Sequence, residues 1–145
     1  MTALALHFSF AVQPYVRMTQ AGRWTDAAEA YRENQTELAR AIEGECRAKG
    51  YEPFLDTARL EVGIIVARAP YKTYIAPTEK RRGHERTVDP IKKADIDNFA
   101  KAVLDACQKA GLFKNDTQVY WLVAEKLHAD TDELSIEIWD RRESE

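Results

Sequence analysis

With 145 residues, 45% of them hydrophobic and 31% charged, the chain has the size and composition of one globular domain. Its net charge of −3 does not by itself indicate a nucleic-acid-binding protein, and no stretch approaches the roughly 18 apolar residues of a membrane span. The apolar start lacks a basic leader and predicts a strand rather than a secretion signal. We therefore expect a cytoplasmic protein with no membrane partner.

Periodicity predicts the elements in chain order. A strand at 4–10 is followed by a helix from Thr25 to Gly50, and then by strands at 60–66 and 71–75. After a charged, aperiodic segment at 76–94 come a helix from about Asp97 to Ala110, strands at 119–126 and 134–139, and a tail at 141–145 that we expect to fray. This order predicts a single α+β domain over 1–145, with a mixed or antiparallel sheet covered by two main helices.

Charge is segregated along the chain. Residues 71–94 carry seven basic side chains against three acidic ones, whereas residues 125–145 carry three against eight. Because 76–94 also contains Pro77, Gly83 and Pro90, we predict a mobile basic loop there. The basic residues of this loop either bind phosphate or are simply solvated. The candidate phosphate contacts come from this loop and, for the last two, from the loop after the first strand: Lys80, Arg81, Arg82, Arg86, Lys92, Lys93, Arg17 and Arg23.

The large aromatic residues and the cysteines predict structural roles. Cys46 and Cys107 lack the paired spacing of a disulfide framework, so we expect free buried thiols. None of the three histidines has a partner at metal-ligand spacing, and none is assigned to a metal. Four aromatic residues are expected to fill the core or a dimer interface rather than stack on bases: Phe8, Phe10, Trp121 and Trp139.

Acidic residues around the second helix carry the candidate chemistry. In extended backbone, residues two apart point the same way, so Asp95 and Asp97 can aim both carboxylates at one point. Lys101 lies one helical turn after Asp97, and we expect the chain to return toward the helix start at Asp116. Such hard oxygen ligands suit Mg²⁺. Phosphodiester hydrolysis needs a metal to activate water and stabilise charge on the phosphate, while Lys101 would stabilise the transition state or help to place the water.

A purely structural interpretation of the same residues stays open. Asp97 or Asn98 can cap the helix, and Lys101 with Asp105 can form an exposed pair four residues apart. Asp116 is also an ordinary residue for a turn.

The ordered string Asp95-Ile-Asp97-Asn98-Phe-Ala-Lys101-Ala-Val-Leu-Asp105-Ala, followed by Ala110-Gly111 and Asp116-x-Gln118-Val119, resembles the core signature of RusA-type Holliday junction resolvases. The match is close from about Lys92 to Lys126, and the order of the preceding elements is similar. Two positions depart from the family pattern. Ala94 stands where a proline is frequent, and Asn115 replaces the first acid of a frequent Asp-Asp pair.

The resemblance implies a homodimeric endonuclease that depends on Mg²⁺, with Mn²⁺ able to substitute, and that resolves four-way DNA junctions by paired incision. It implies metal-binding catalytic carboxylates and a catalytic lysine, with no small-molecule cofactor: Asp95, Asp97, Asp116 and Lys101. Asn98 and Asp105 are expected to support the site, and Lys126 to face a DNA phosphate. Two rivals remain open, a broader nuclease for flaps and forks and a branched-DNA-binding protein that does not cleave.

Overall fold

The computed structural model describes residues 3–17 and 25–144. In chain order its elements are β1 (Ala3–Phe8), α1 (Asp26–Lys49), β2 (Leu60–Arg68), β3 (Tyr71–Ile75), β4 (His84–Val88), α2 (Pro90–Lys93), α3 (Ile96–Lys109), β5 (Val119–His128) and β6 (Glu133–Asp140). Short 3-10 turns at Asp116–Gln118 and Arg141–Ser144 precede β5 and follow β6. The predicted α+β class is confirmed, and the five predicted strands and two long helices are found with ends shifted by at most two residues.

Four strands form one mixed sheet in the order β1, β6, β2, β5. β6 runs antiparallel to β1 and β2, whereas β5 runs parallel to β2. A parallel pair needs a crossover connection, and α3 lies in that connection here. β5 therefore begins beside the start of β2, where Val119 pairs with Leu60, and ends beside Arg68 at the other end of the sheet.

The helices α1 and α3 cover one face of this sheet because each presents one apolar side. Leu38 of α1 and Phe99 of α3 are fully buried and pack into one cluster with the inward-facing residues of β2 and β6. Thr25 caps α1 by accepting a hydrogen bond from the Ala28 N–H, and Gly50 ends it with a φ of 71°. The predicted free, buried thiols Cys46 and Cys107 are confirmed.

Across residues 3–17 and 25–144, the opposite face of the sheet carries exposed side chains. Trp121 and Trp139 flank Glu61 in one cross-strand row, and both tryptophans are about half exposed. These two residues therefore lie outside the core, because strand alternation turns them away from α1 and α3, and their predicted alternative place in a dimer interface stays a prediction. Phe8 and Phe10 pack against the core as predicted.

The segment predicted as a loop at 76–94 contains regular structure. His84–Val88 forms β4, which pairs antiparallel with β3 as a separate two-stranded ribbon, and Pro90–Lys93 forms α2. β4 escaped prediction because four of its five residues are exposed, so no alternation of apolar and polar side chains marks it. In the tail, expected to fray at 141–145, Arg141–Ser144 form a 3-10 turn in which Arg142 donates to Asp140, and Glu145 lies outside the described residues.

Hydropathy along the helices bears on membrane attachment. Among residues 3–17 and 25–144, none of the helices combines the length and the apolar character needed to cross a membrane.

Candidate active site

Asp95 and Asp97 lie on an exposed corner where α2 meets α3. Asp95 is the N-cap residue of α3, with φ −72° and ψ 144°, and its side chain makes no capping hydrogen bond to the described backbone. Asp97 lies in the first helical turn, where its Oδ1 accepts a hydrogen bond from the Asn98 N–H at 3.1 Å. Asp97 is thus helical rather than extended as predicted, because α3 begins one residue earlier. Both carboxylates still lie at the same end of α3.

Lys126 of β5 anchors this corner to the sheet. Its Nζ donates to the carbonyl oxygens of Ile91, within α2, at 2.7 Å and of Ala94, just after α2, at 2.8 Å. Carbonyls at helix ends lack partners within the helix, and a cation satisfies them well. Lys126 therefore fixes the residue that precedes Asp95. Its contact with a DNA phosphate stays a prediction.

Replacing Lys126 by Met is expected to lower the free energy of unfolding by about 1–3 kcal/mol, because two backbone carbonyls lose a charged donor. The matched control is Lys93→Met, which removes an exposed lysine of α2 and should change stability by less than about 0.5 kcal/mol. Urea denaturation followed by circular dichroism measures both variants. Equal losses in the two variants would contradict the anchoring role.

Two neighbours hold the side chain of Lys101. Its Nζ lies 3.6 Å from Oδ2 of Asp105 and 4.9 Å from the centre of the Tyr15 ring. Asp105 also accepts a hydrogen bond from the Tyr31 hydroxyl at 3.4 Å. Burial and the nearby Asp105 carboxylate raise the pKa of Tyr31, so its hydroxyl stays protonated and remains a donor. Asp105 thus links Lys101 to α1, and its role in supporting a site stays a prediction.

Tyr15 contacts the candidate site and was not among the residues predicted from sequence. Its backbone N–H donates to the carbonyl oxygen of Asn98 at 2.9 Å, which docks the irregular segment after β1 onto the start of α3. Its ring meets the Tyr31 ring edge-on, with centroids 5.6 Å apart. No periodic pattern marks Tyr15, since it lies outside the helices and strands.

Asp116 lies in a hydrogen-bonded turn beyond the other end of α3. The side chain of Asn115 caps the 3-10 turn, and Gln118 accepts a hydrogen bond from the Asn115 N–H at 3.2 Å. The Gln118 amide also donates to the Leu55 carbonyl at 2.9 Å, which ties the turn to the segment before β2. Asn115, a departure from the family pattern, therefore serves here as a cap, while Asp116 stays exposed.

Asp116 does not reach the start of α3 within one chain. α3 has 14 residues, so its ends are about 21 Å apart at about 1.5 Å per residue. Asp116 precedes the start of β5, whereas Lys126, near the end of β5, contacts the Asp95 corner. Across the described ranges, no three His, Cys, Asp or Glu side chains gather as a metal site. The predicted convergence of the three aspartates is wrong for a single chain, because β5 itself makes the return that we assigned to the loop after Gly111.

A cleft of about 330 Å³ opens beside Asp95. Its lining includes Tyr15, Lys93 and the almost fully buried Arg68, whose Nη1 donates to the Val12 carbonyl at 2.7 Å. Because Arg68 is paired with Asp132 at 3.0 Å, the groups that the cleft offers beside the exposed Asp95 carboxylate are the exposed Lys93 and the ring of Tyr15, a combination suited to a phosphate-bearing chain.

The other basic residues predicted to contact phosphate lie on α2, after the segment at Tyr15, and on the β3–β4 ribbon. Lys92 and Lys93 are exposed on α2, and Arg17 is exposed just after the docked segment at Tyr15. Arg23 lies outside the described residues. The β3–β4 ribbon carries four more exposed basic residues, three at its tip and one within β4: Lys80, Arg81, Arg82 and Arg86.

One comparison with known proteins gives a match. Residues 11–139, nearly the whole chain, match the family model described as Endodeoxyribonuclease RusA. A comparison with curated proteins gives no match. The matched region includes the corner at Asp95, the helix that carries Lys101 and the turn at Asp116.

Proposed function

Because the chain belongs to the endodeoxyribonuclease RusA family, we propose that it resolves four-way DNA junctions in recombination and repair by metal-dependent paired incision. One observation carries the proposal beyond the family. Asp95 and Asp97 present exposed carboxylates at one helix end, about one turn from a lysine that Asp105 holds in place. Carboxylates and a fixed cation on one exposed surface suit phosphodiester hydrolysis.

The donor groups at the start of α3 fit Mg²⁺ or Mn²⁺. Mg²⁺ is commonly held by one or two carboxylates, with waters and substrate phosphate oxygens filling the other positions. Asp95 and Asp97 would hold the ion, and the uncapped side chain of Asp95 is available for this. When bound, the metal supplies an activated water and stabilises charge on the phosphate.

A third carboxylate would come from a second copy of the chain. Asp116 is separated from Asp95 and Asp97 by the length of α3 in one chain. In a two-fold dimer, Asp116 of each copy can approach the start of α3 in the other, which makes two equivalent composite sites. A four-way junction offers two strands to cut with approximate two-fold symmetry, so the homodimer suits the substrate.

The basic residues around the carboxylates would stabilise the transition state and bind the DNA backbone. Lys101, held by Asp105 and by the ring of Tyr15, would direct its positive charge at the phosphate as negative charge develops in the transition state. The lysines of α2 and the tip of the β3–β4 ribbon would contact phosphates on either side of the cut without reading sequence.

A cleavage assay on several DNA substrates tests this proposal. The purified protein should nick opposing strands of a four-way junction in the presence of Mg²⁺, and should leave linear duplex intact. Equal rates on flaps or forks would favour the broader nuclease. Tight junction binding with no cleavage in Mg²⁺ or Mn²⁺ would favour a protein that binds branched DNA without cutting it.

The basic tip of the ribbon gives a separate prediction about binding. Replacing Lys80, Arg81 and Arg82 by Ala should weaken junction binding and flatten the slope of log affinity against log salt by up to about 2–3, since fewer counterions are released. The matched control replaces three exposed basic residues of α1, Arg40, Arg47 and Lys49, by Ala and should leave the slope unchanged. Binding titrations at several salt concentrations measure the slope. An unaltered slope in the ribbon variant would contradict its contact with phosphates.

A further inference from the structure

The face of the sheet that points away from α1 and α3, which we call the outer face, has a hollow near its centre. The hollow has a volume of about 460 Å³, and its rim includes Trp121 and Trp139, each more than half exposed. Gly63 of β2 forms the floor between Val123 and Glu137. Apart from its two chain neighbours, no described residue lies within 4 Å of a methyl group added to Gly63. A glycine inside a strand weakens it and often marks a place where a ligand or another chain comes close.

Two carboxylates on the rim of the hollow have no cation beside them. Glu125 and Glu137 are exposed, and neither side chain forms a hydrogen bond or an ion pair with any residue that the structure describes. The histidine on the same face is already engaged, because His7 Nε2 lies 3.3 Å from Oε1 of Glu133. The outer face thus combines exposed apolar rings with uncompensated negative charge. That combination repels a DNA phosphate and attracts a cation with an apolar neighbour.

One end of the outer face already holds a guanidinium group from its own chain. Arg141, which follows β6, lies over Trp121 with its Cζ 5.9 Å from the ring centre, and its Nε lies 3.3 Å from Oε1 of Glu61. A guanidinium group suits both contacts, since it stacks on an aromatic ring and pairs with a carboxylate. Trp139 and Glu137 present the same two groups on β6, on the same side of the strand and about 7 Å apart along it. This second ring and carboxylate therefore suit a guanidinium group from another molecule.

We propose that the outer face binds an extended segment of a different protein, which places an arginine against Trp139 and Glu137 and an apolar side chain over Gly63. The charge of the face favours this occupant. A second copy of the face would bring Glu125 and Glu137 against the same carboxylates, and a DNA strand would bring its phosphates against them. The outer face lies across the sheet from α3, so the bound segment leaves the exposed Lys101 accessible to DNA. The inference therefore goes beyond the proposed function by adding a protein partner.

Fluorescence polarisation with a short labelled peptide tests this surface without reference to nuclease activity. The probe is a blocked hexapeptide in which leucine and arginine alternate, and the comparison peptide carries glutamine in place of each arginine. The arginine peptide should bind the full-length protein at least about tenfold more tightly than the glutamine peptide, because only arginine stacks on a tryptophan ring as a cation while pairing with a carboxylate.

Two variants and a matched control locate the binding. Gly63→Val fills the floor of the hollow with a residue that suits a strand, so the urea midpoint should not fall. The affinity of this variant for the arginine peptide should drop at least about tenfold, because the site is no longer concave. Glu137→Gln removes one carboxylate and should also weaken binding about tenfold. Glu37→Gln removes an exposed carboxylate of α1, on the other side of the sheet, and should leave the affinity unchanged.

Equal affinity for the two peptides, or equal losses in Glu137→Gln and Glu37→Gln, would overturn the proposed partner. Two other occupants are tested on the same variants, and either result also overturns the proposal. Binding of single-stranded oligothymidine that Gly63→Val abolishes would identify a nucleic-acid surface, and a sedimentation coefficient that Gly63→Val lowers to that of a monomer would identify a second copy. A protein that binds the arginine peptide as expected but cleaves no DNA would instead overturn the proposed function and leave this surface standing.

Discussion

Replacing Asp97 by Asn is expected to lower the rate of junction cleavage by at least about a thousandfold while the protein stays folded. Asn keeps the shape of the side chain and an oxygen that can accept the Asn98 N–H, as Asp97 does now. The substitution removes a negative charge and a strong Mg²⁺ ligand. Junction binding without metal should persist or tighten, because one fewer carboxylate repels the phosphates.

Asp26 provides the matched control, since it is an exposed acid in the first turn of α1. If Asp97 only stabilises the positive end of a helix, Asp97→Asn and Asp26→Asn should each cost about 0.3–1 kcal/mol and leave cleavage intact. Incision rate, urea midpoint and metal-free junction affinity are measured on both variants. Wild-type cleavage by Asp97→Asn would exclude a catalytic role for this carboxylate.

The elements predicted well from sequence are those with local signals. Thr25 and Gly50 mark the two ends of α1 through a cap and a left-handed residue. The inward residues of β2 alternate with outward ones, so its strand pattern is plain. By contrast, β4 has almost no buried residue, and its pairing with β3 depends on a contact that no periodicity reveals.

The sequence predicted which residues lie near one another along α3, but not where Asp116 lies relative to them. The spacing of Asp97, Lys101 and Asp105 along one helix follows from residue number alone, and the structure has Lys101 beside Asp105. The position of Asp116 depends instead on which element after α3 leads the chain back toward the start of that helix. Because β5 pairs parallel with β2, that element is β5 itself. β5 begins at the end of the sheet away from the corner at Asp95, so Asp116, which precedes β5, lies at that end too.

Exposed apolar residues show a second limit of reading a single chain. Trp121 is a large apolar residue within a predicted strand, which is typical of the core, yet it lies on the surface of this chain. Hydrophobicity indicates that a side chain tends to leave water, without indicating whether its own chain or another one covers it. The contact of Lys126 with two carbonyl oxygens could not be predicted from the sequence either. Every residue carries a carbonyl, and only the fold decides which carbonyls lack a hydrogen-bond partner.

Mixing two inactive variants is expected to restore cleavage if the metal site is shared between copies. In a heterodimer of Asp97→Asn and Asp116→Asn, one composite site carries both substitutions, whereas the other combines intact Asp95 and Asp97 with an intact Asp116 from the other copy. Random pairing at equal amounts makes half of the dimers heterodimers, so about a quarter of all sites should be intact. Each such dimer should nick one strand of the junction, which gives nicked junctions in place of resolved duplexes.

The control mixture pairs Asp97→Asn with Asp95→Asn. Both residues lie on the same side of the composite site, so every site in that heterodimer lacks one carboxylate and the mixture should stay inactive. The two mixtures, prepared by co-expression with distinguishable tags, are compared in a single-turnover nicking assay on one labelled junction. If each chain assembled its three carboxylates by itself, neither mixture would cleave. Restored nicking in the first mixture alone would therefore show that Asp116 of one copy completes the site that Asp95 and Asp97 form in the other.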